Sequence, residues 1–139
     1  MEKGVVFLFS ALTYMMAGAA HAIAAPCSGS SSHAEERSCL ESMFGEMEKR
    51  LVKAEVRTAA QIAAWDEEPE YRNKSRKALS AANLAFRKYR ASQCEYAWSL
   101  AAGGNGATDM RLSCAIELTE SRIKQLDVYA TGLEKRYRP

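Results

Sequence analysis

Mostly apolar side chains, with a few polar ones among them, recur every three or four residues along most of the chain, which is the period of helices with one buried face. In the first such stretch these positions are Leu40, Phe44, Met47, Leu51, Ala54, Thr58, Ile62 and Trp65. In the second they are Leu79, Ala82, Phe86, Tyr89, Gln93, Tyr96 and Leu100. In the third they are Ala115, Leu118, Thr119, Arg122, Leu126, Tyr129 and Leu133. No stretch alternates apolar and polar residues as a strand would, so the pattern predicts an all-α antiparallel bundle of about three long helices.

Helix-breaking residues separate the three stretches. Asp66–Pro69 ends or kinks the first helix, because proline lacks an amide donor and restricts the residue before it. Gly103–Gly106 ends the second helix, because glycine readily adopts positive φ. We expect the first helix to be capped by Ser32 or the residue after it, and the third by Thr108 or Asp109.

The first 24 residues have the features of an export signal. Lys3 supplies a positive start, Val5–Ala17 is apolar, and small residues provide two possible cleavage sites within Ala20–Ala24. The apolar run is shorter than the roughly 20 residues that a membrane-spanning helix needs. We therefore predict a signal peptide over residues 1–24, no membrane span, and one helical domain over residues 25–139.

Four cysteines follow the predicted signal, at Cys27, Cys39, Cys94 and Cys114. An even number in a short exported chain indicates two disulfides, and the spacings do not fit the close pairs of a zinc site. Cys94 and Cys114 lie at similar distances from the glycines between them, so two antiparallel helices would bring them within the roughly 7 Å that a disulfide allows. All three pairings remain open from spacing alone. Lipid attachment at Cys27 is disfavoured, because Pro26 occupies a position that requires a small residue.

Residue types needed for catalysis or cofactor binding are scarce. The predicted mature chain has one histidine, His33, in a polar lead-in, so a nucleophile would lack a plausible base and a histidine-rich metal site is excluded. The glycines of Gly103–Gly106 join two helices and lack the strand that a phosphate-binding loop follows. The bases within Arg72–Lys77 read as a solvated face rather than a nucleic-acid patch in an exported protein. We predict no enzyme, no cofactor and no metal.

Charge is distributed unevenly along the chain. Residues 27–70 contain ten acidic and five basic side chains, a balance of −5, whereas residues 71–139 contain six acidic and thirteen basic ones, a balance of +7. Such asymmetry either holds neighbouring helices together or presents an acidic surface to a basic partner. Mutual neutralisation between helices is the favoured interpretation.

Two arginines lie on or beside apolar stripes, where an unpaired charge is costly. For Arg122 we expect a structural role, through an acid of the first helix such as Glu48 or Glu55 or through carbonyl groups at the turn. The alternative is a contact to a ligand. Arg90 is interpreted in the same way.

The segment Phe86–Leu126 carries a recognisable order of motifs. They are an aromatic–Arg pair at Tyr89–Arg90, Cys94, the pair Gly103–Gly104, Cys114, and a Leu-Thr-x₂-Arg-x₃-Leu run over Leu118, Thr119, Arg122 and Leu126. With the early cysteine pair, this order resembles the LprI-like lysozyme-inhibitor family, a group of small secreted bacterial proteins. The resemblance covers nearly all of the predicted mature chain.

The resemblance implies a periplasmic or secreted protein that binds and blocks a lysozyme or another peptidoglycan hydrolase. It also favours local disulfides, Cys27–Cys39 and Cys94–Cys114. Two other functions remain open: an immunity protein against a cell-wall-degrading toxin, and an envelope structural or stress protein without an enzyme target.

The acidic segment between the first two helices is our candidate for partner binding. Loops at the end of a rigid scaffold commonly bind, and lysozymes are cationic. We expect Glu67, Glu68 and Glu70 to contact the partner and Trp65 to act as an aromatic anchor. The alternative is that Trp65 covers the end of the core and the acids only begin the next helix.

Overall fold

The computed structural model describes residue 27 and residues 29–136, and it confirms the all-α class. Helix α1 covers His33–Ala64, α2 covers Pro69–Ser99 and α3 covers Ala107–Arg136. The chain runs up, down and up, so each helix is antiparallel to the next. No strand occurs within residues 29–136. None of the helices described is both long and apolar enough to span a membrane. The predicted signal peptide lies outside the described residues.

The helix boundaries follow the local chemistry. Ser32 is the N-cap of α1, and its side chain accepts a hydrogen bond from the Glu35 amide at 3.3 Å. Pro69 occupies the first turn of α2, where its missing amide hydrogen costs nothing. For α3 the expected caps were wrong, because the helix already begins at Ala107. The Met110 amide donates to the Gly106 carbonyl at 2.9 Å, which places Thr108 and Asp109 inside the first turn.

The core is formed where α1 packs along α3. Leu51 and Ala54 from α1 and Ile123 and Leu126 from α3 form a buried cluster, against which Met47, Leu79 and Phe86 pack. The apolar stripe predicted for α1 is confirmed, because its five buried residues all belong to that stripe: Leu40, Leu51, Ala54, Thr58 and Ile62. Helix α3 contacts both other helices and buries Ile116, Ile123 and Ala130, which the sequence pattern did not predict. Tyr129, which was predicted to face the core, is 54% exposed.

The C-terminal half of α2 is rotated relative to the prediction. Tyr89, Tyr96 and Leu100 are 54%, 59% and 59% exposed, although we expected them to face the core. Arg90 and Cys94 point inward instead. The shift between Tyr89 and Arg90 is one residue, or about 100° around the helix. Helix α2 therefore turns an aromatic face toward solvent.

Both disulfides form the local pairs that the family resemblance favoured. Cys27–Cys39 has a Cα–Cα distance of 6.0 Å and Cys94–Cys114 one of 5.5 Å. Both lie in the half of the bundle that contains the turn between α2 and α3. The opposite end, where α1 meets α2, has no disulfide.

Candidate partner-binding surface

The connection between α1 and α2 is a tight bend fixed by backbone geometry. Trp65 leaves the helix in an extended conformation, with φ −64° and ψ 127°, and Glu68 is extended as well because proline follows it. The Glu67 amide donates to the Trp65 carbonyl at 2.9 Å, and the Tyr71 amide donates to the Glu68 carbonyl at 3.0 Å. These hydrogen bonds fix the backbone conformation of the bend, so its side chains start from defined positions.

Four carboxylates cluster on this bend, and all are exposed: Asp66, Glu67, Glu68 and Glu70, which we call the acidic bend. None of the four forms a hydrogen bond or ion pair through its carboxylate with a residue in the part of the chain that the structure describes. Although Glu68 is the N-cap of α2, its side chain makes no capping bond. The positive end of the α2 dipole favours negative charge here. The acidic bend therefore presents unneutralised charge to solvent.

Trp65 connects the acidic bend to the body of the bundle. Its side chain is half-buried and lines a groove between α2 and α3, beside Ile62 and Leu133. The structure thus brings together all four residues that the sequence suggested for partner binding. Part of the Trp65 surface remains accessible beside the carboxylates, because the side chain is only half-buried where it lines the groove.

Two acids of α1, Glu48 and Glu55, pair with arginines of α2. Arg87 of α2 donates to both oxygens of Glu55 at 2.9 Å, and this hydrogen bonding raises the pKa of Arg87. Arg90 donates to a single oxygen of the Glu48 carboxylate. The favoured interpretation of the charge asymmetry is therefore correct for the middle of the α1–α2 interface. The acidic bend lies beyond it and is not neutralised.

The expected partners of Arg122 were wrong. Because Arg87 and Arg90 occupy Glu55 and Glu48, Arg122 instead donates to two neutral groups, the Asn83 side-chain oxygen at 2.9 Å and the Gln125 side chain. The sequence does not indicate which arginine pairs with Glu48 or Glu55, because several arginines on two helices are spaced to reach the same two acids.

A family model described as lysozyme inhibitor LprI matches residues 26–126. This chain belongs to the LprI lysozyme-inhibitor family. The matched region contains both disulfides and the acidic bend, and it ends within α3. Searches of curated proteins and of solved structures each found no match.

The opposite end of this LprI-family domain offers a second surface. The turn over Gly103–Gly106, which we call the glycine turn, lines a cleft of about 490 Å³ together with Trp98 and Arg37. Arg37 of α1 donates to the Asn105 carbonyl at 2.9 Å and to the Asp109 carboxylate at 3.0 Å. These bonds tie α1 to the start of α3, and the pairing with Asp109 raises the pKa of Arg37. Sequence reasoning missed this clamp because its members are about 70 residues apart.

One group near the glycine turn has the composition of a metal site. His33, Glu36 and Asp109 place one potential ligand atom each within 4.8 Å of one another. The Asp109 carboxylate is already bound to Arg37, so a cation would compete with a guanidinium for it. His33 is 79% exposed and is held by no second contact beyond Glu36 among the residues described. The arrangement is therefore a surface ion-pair cluster, and we assign no metal to it.

Proposed function

We propose that this protein is exported to the periplasm or the exterior, where it binds and blocks a lysozyme-type peptidoglycan hydrolase without being an enzyme itself. The observation that carries the proposal is the match to the LprI lysozyme-inhibitor family over residues 26–126. Two disulfides suit the oxidising compartments outside the cytoplasm. The acidic bend suits a cationic partner.

The acidic bend is our candidate for the contact with the hydrolase. Opposite charges accelerate the encounter of two proteins, and they act over roughly 10 Å at 0.1 M salt. Glu67, Glu68 and Glu70 would steer the bend toward the surface of a cationic hydrolase. Trp65 would then supply apolar contact at the centre, since tryptophan is enriched among residues that dominate binding energy.

Charge reversal at the bend tests this proposal. The triple variant Glu67→Lys, Glu68→Lys, Glu70→Lys should lose inhibition in a cell-wall lysis assay against a panel of lysozymes. Its association rate should fall about tenfold or more at low salt, and the difference should shrink as salt rises. Circular dichroism should show unchanged helix content, because these carboxylates form no hydrogen bond or ion pair within residues 29–136.

A matched control separates local from overall charge. Glu41, Glu46 and Glu117 are exposed acids elsewhere on the bundle, and their replacement by lysine changes the net charge by the same amount. This control should retain inhibition. Equal loss in both variants would indicate a nonspecific charge effect, and inhibition that survives reversal at the bend would move the contact to the glycine turn. If no lysozyme is bound, a toxin encoded by a neighbouring gene becomes the next partner to test.

A further inference from the structure

The function proposed above involves only the edge of a groove between α2 and α3, through Trp65. The groove has a volume of about 550 Å³ and opens near the acidic bend. Its wall is largely aliphatic, with Leu79 and Ala82 on α2 and Val128 and Leu133 on α3, and buried Ile62 of α1 forms its base. We call it the α2–α3 groove. Small-molecule sites are commonly apolar clefts of about 300–1,000 Å³ with few polar groups, and this groove has that size and character.

Arg122 is the only charged side chain that lines the groove among the residues described. Its guanidinium bonds the side-chain oxygens of Asn83 and Gln125 and lies over the Phe86 ring, 5.9 Å from the centroid. No carboxylate within residues 29–136 comes into ion-pair distance of it. Its Nε is buried and has no hydrogen-bond acceptor in the described part of the chain.

This environment leaves the positive charge of Arg122 without a counter-charge. Bringing a guanidinium out of water is costly unless a paired anion offsets the loss of hydration. Arg122 is half-buried, with a buried Nε and an exposed bond to Gln125, and its neutral amide partners and one aromatic face offset only part of that cost. Guanidinium groups bind carboxylates through two parallel hydrogen bonds, and each terminal nitrogen of Arg122 has a second hydrogen for such a contact. The neighbouring arginines Arg87 and Arg90, by contrast, each have a glutamate.

We propose that the α2–α3 groove binds a small amphiphile with a carboxylate head and an aliphatic chain. Arg122 would bind the head, and the chain would lie along Leu79, Val128 and Leu133. A protein partner is a poorer fit, because specific protein interfaces bury more than about 1,000 Å² and extend well beyond a groove of this size. The proposal concerns a site separate from the acidic bend and does not rest on hydrolase inhibition.

Dodecanoate is a suitable probe, used below its micelle concentration with the disulfide-bonded protein. Calorimetric titration should show saturable binding of one dodecanoate per chain, and the ligand should raise the thermal unfolding midpoint. Dodecyltrimethylammonium, with the same chain and a cationic head, should bind at least about tenfold more weakly. Equal binding of both would show that the charge of Arg122 does not select the ligand and would overturn the proposal.

Three variants test the two parts of the site. Arg122→Gln should weaken dodecanoate binding about tenfold or more, whereas Arg111→Gln, on the same helix but paired with Glu95, should leave it unchanged. Gly132 lines the groove and has open space around its Cα, so Gly132→Leu should fill the groove and abolish binding while the helix is retained. Absence of saturable binding by the wild type, or undiminished binding by Arg122→Gln and Gly132→Leu, would overturn the proposal. Self-association of the wild type that Gly132→Leu abolishes would assign the groove to a second copy instead.

Discussion

Replacing Arg90 by methionine should destabilise the bundle more than any other single loss of charge on α2. The Arg90 side chain is only 12% exposed and contacts all three helices. It pairs with the Glu48 carboxylate of α1 and donates to the Thr119 hydroxyl of α3 at 2.6 Å. Its guanidinium also lies over two rings, 5.3 Å from the centroid of Phe44 and 5.5 Å from that of Phe86. Methionine keeps the aliphatic stem and removes only the charged group.

The expected loss follows from the burial of each partner. Breaking a fully buried ion pair by removing one member costs about 3–5 kcal/mol. Glu48 is 37% exposed, so its carboxylate regains water and the cost falls below that range. Thr119 is fully buried but keeps its own hydrogen bond to the Ala115 carbonyl at 2.6 Å. Loss of the cation–π contacts adds about 0.5–2 kcal/mol. We expect Arg90→Met to lower the free energy of unfolding by about 2–4 kcal/mol.

Urea unfolding with both disulfides intact measures this difference, provided that fluorescence and circular dichroism report the same transition. The control is Arg87→Met, because Arg87 is 39% exposed on the same interface, although its removal leaves Glu55, which is 15% exposed, without two hydrogen bonds. It should cost about 1–2 kcal/mol. A double-mutant cycle of Arg90→Met with Glu48→Gln should give a coupling of about 1 kcal/mol or more. If Arg90→Met costs no more than Arg87→Met, the inferred dependence on burial is wrong.

Three further outcomes are expected. Replacing Cys94 and Cys114 together by alanine should lower the free energy of unfolding by about 3 kcal/mol in a urea titration, because their disulfide closes a loop with a sequence separation of 20. Gly103 has φ +79°, so Gly103→Val should destabilise by at least about 1 kcal/mol, whereas Gly45→Ala, in open space within α1, should stabilise by about 0.5–1 kcal/mol; equal effects on melting would contradict this. Hydrogen bonds from the side chain and the backbone of Ser31 lower the pKa of Glu35 below 4.5. The stabilisation by ionised Glu35 is therefore present above pH 4.5 and is lost as the pH falls through the lower pKa of the folded state. Unfolding of Glu35→Gln should therefore depend less on pH in that acidic window.

The helices and their ends could be predicted because local chemistry determines them. Proline after Glu68 forces an extended residue, and the observed bend lies there. At least one glycine of the glycine turn was expected to adopt positive φ, and Gly103 does. Ser32 caps α1 by accepting a hydrogen bond from the amide of Glu35, which is only three residues further along the chain. Each of these features depends on residues that are close together in the sequence, so it can be predicted from the sequence of one protein.

The orientation of α2 could not be read from the same pattern. Tyr89 is aromatic and Arg90 is charged, so a count of apolar residues selects the wrong one for the core. The guanidinium is tolerated inside because Glu48, Thr119 and two aromatic rings surround it, and all of these come from distant parts of the chain except Phe86. The assignment of arginines to acids failed for the same reason. It depends on the register between helices, which sequence periodicity does not specify.

The two ends of the bundle are stabilised by different means, and the surfaces proposed for binding lie at the end without a disulfide. Both disulfides and the Arg37 clamp lie in the half that contains the glycine turn. At the other end, Arg57 and Gln61 of α1 bond the Glu134 carboxylate of α3. The carboxylates of the acidic bend take no part in these bonds, so they can be altered at small cost to the fold. Trp65 borders both the acidic bend and the α2–α3 groove. An amphiphile in the groove would therefore contact the residue proposed to anchor the hydrolase, and the two ligands should influence each other's affinity by the same factor. Charge reversal at the bend and Arg122→Gln change different residues and are read by different assays, hydrolase inhibition and dodecanoate binding, so the failure of one proposal would be visible without the other.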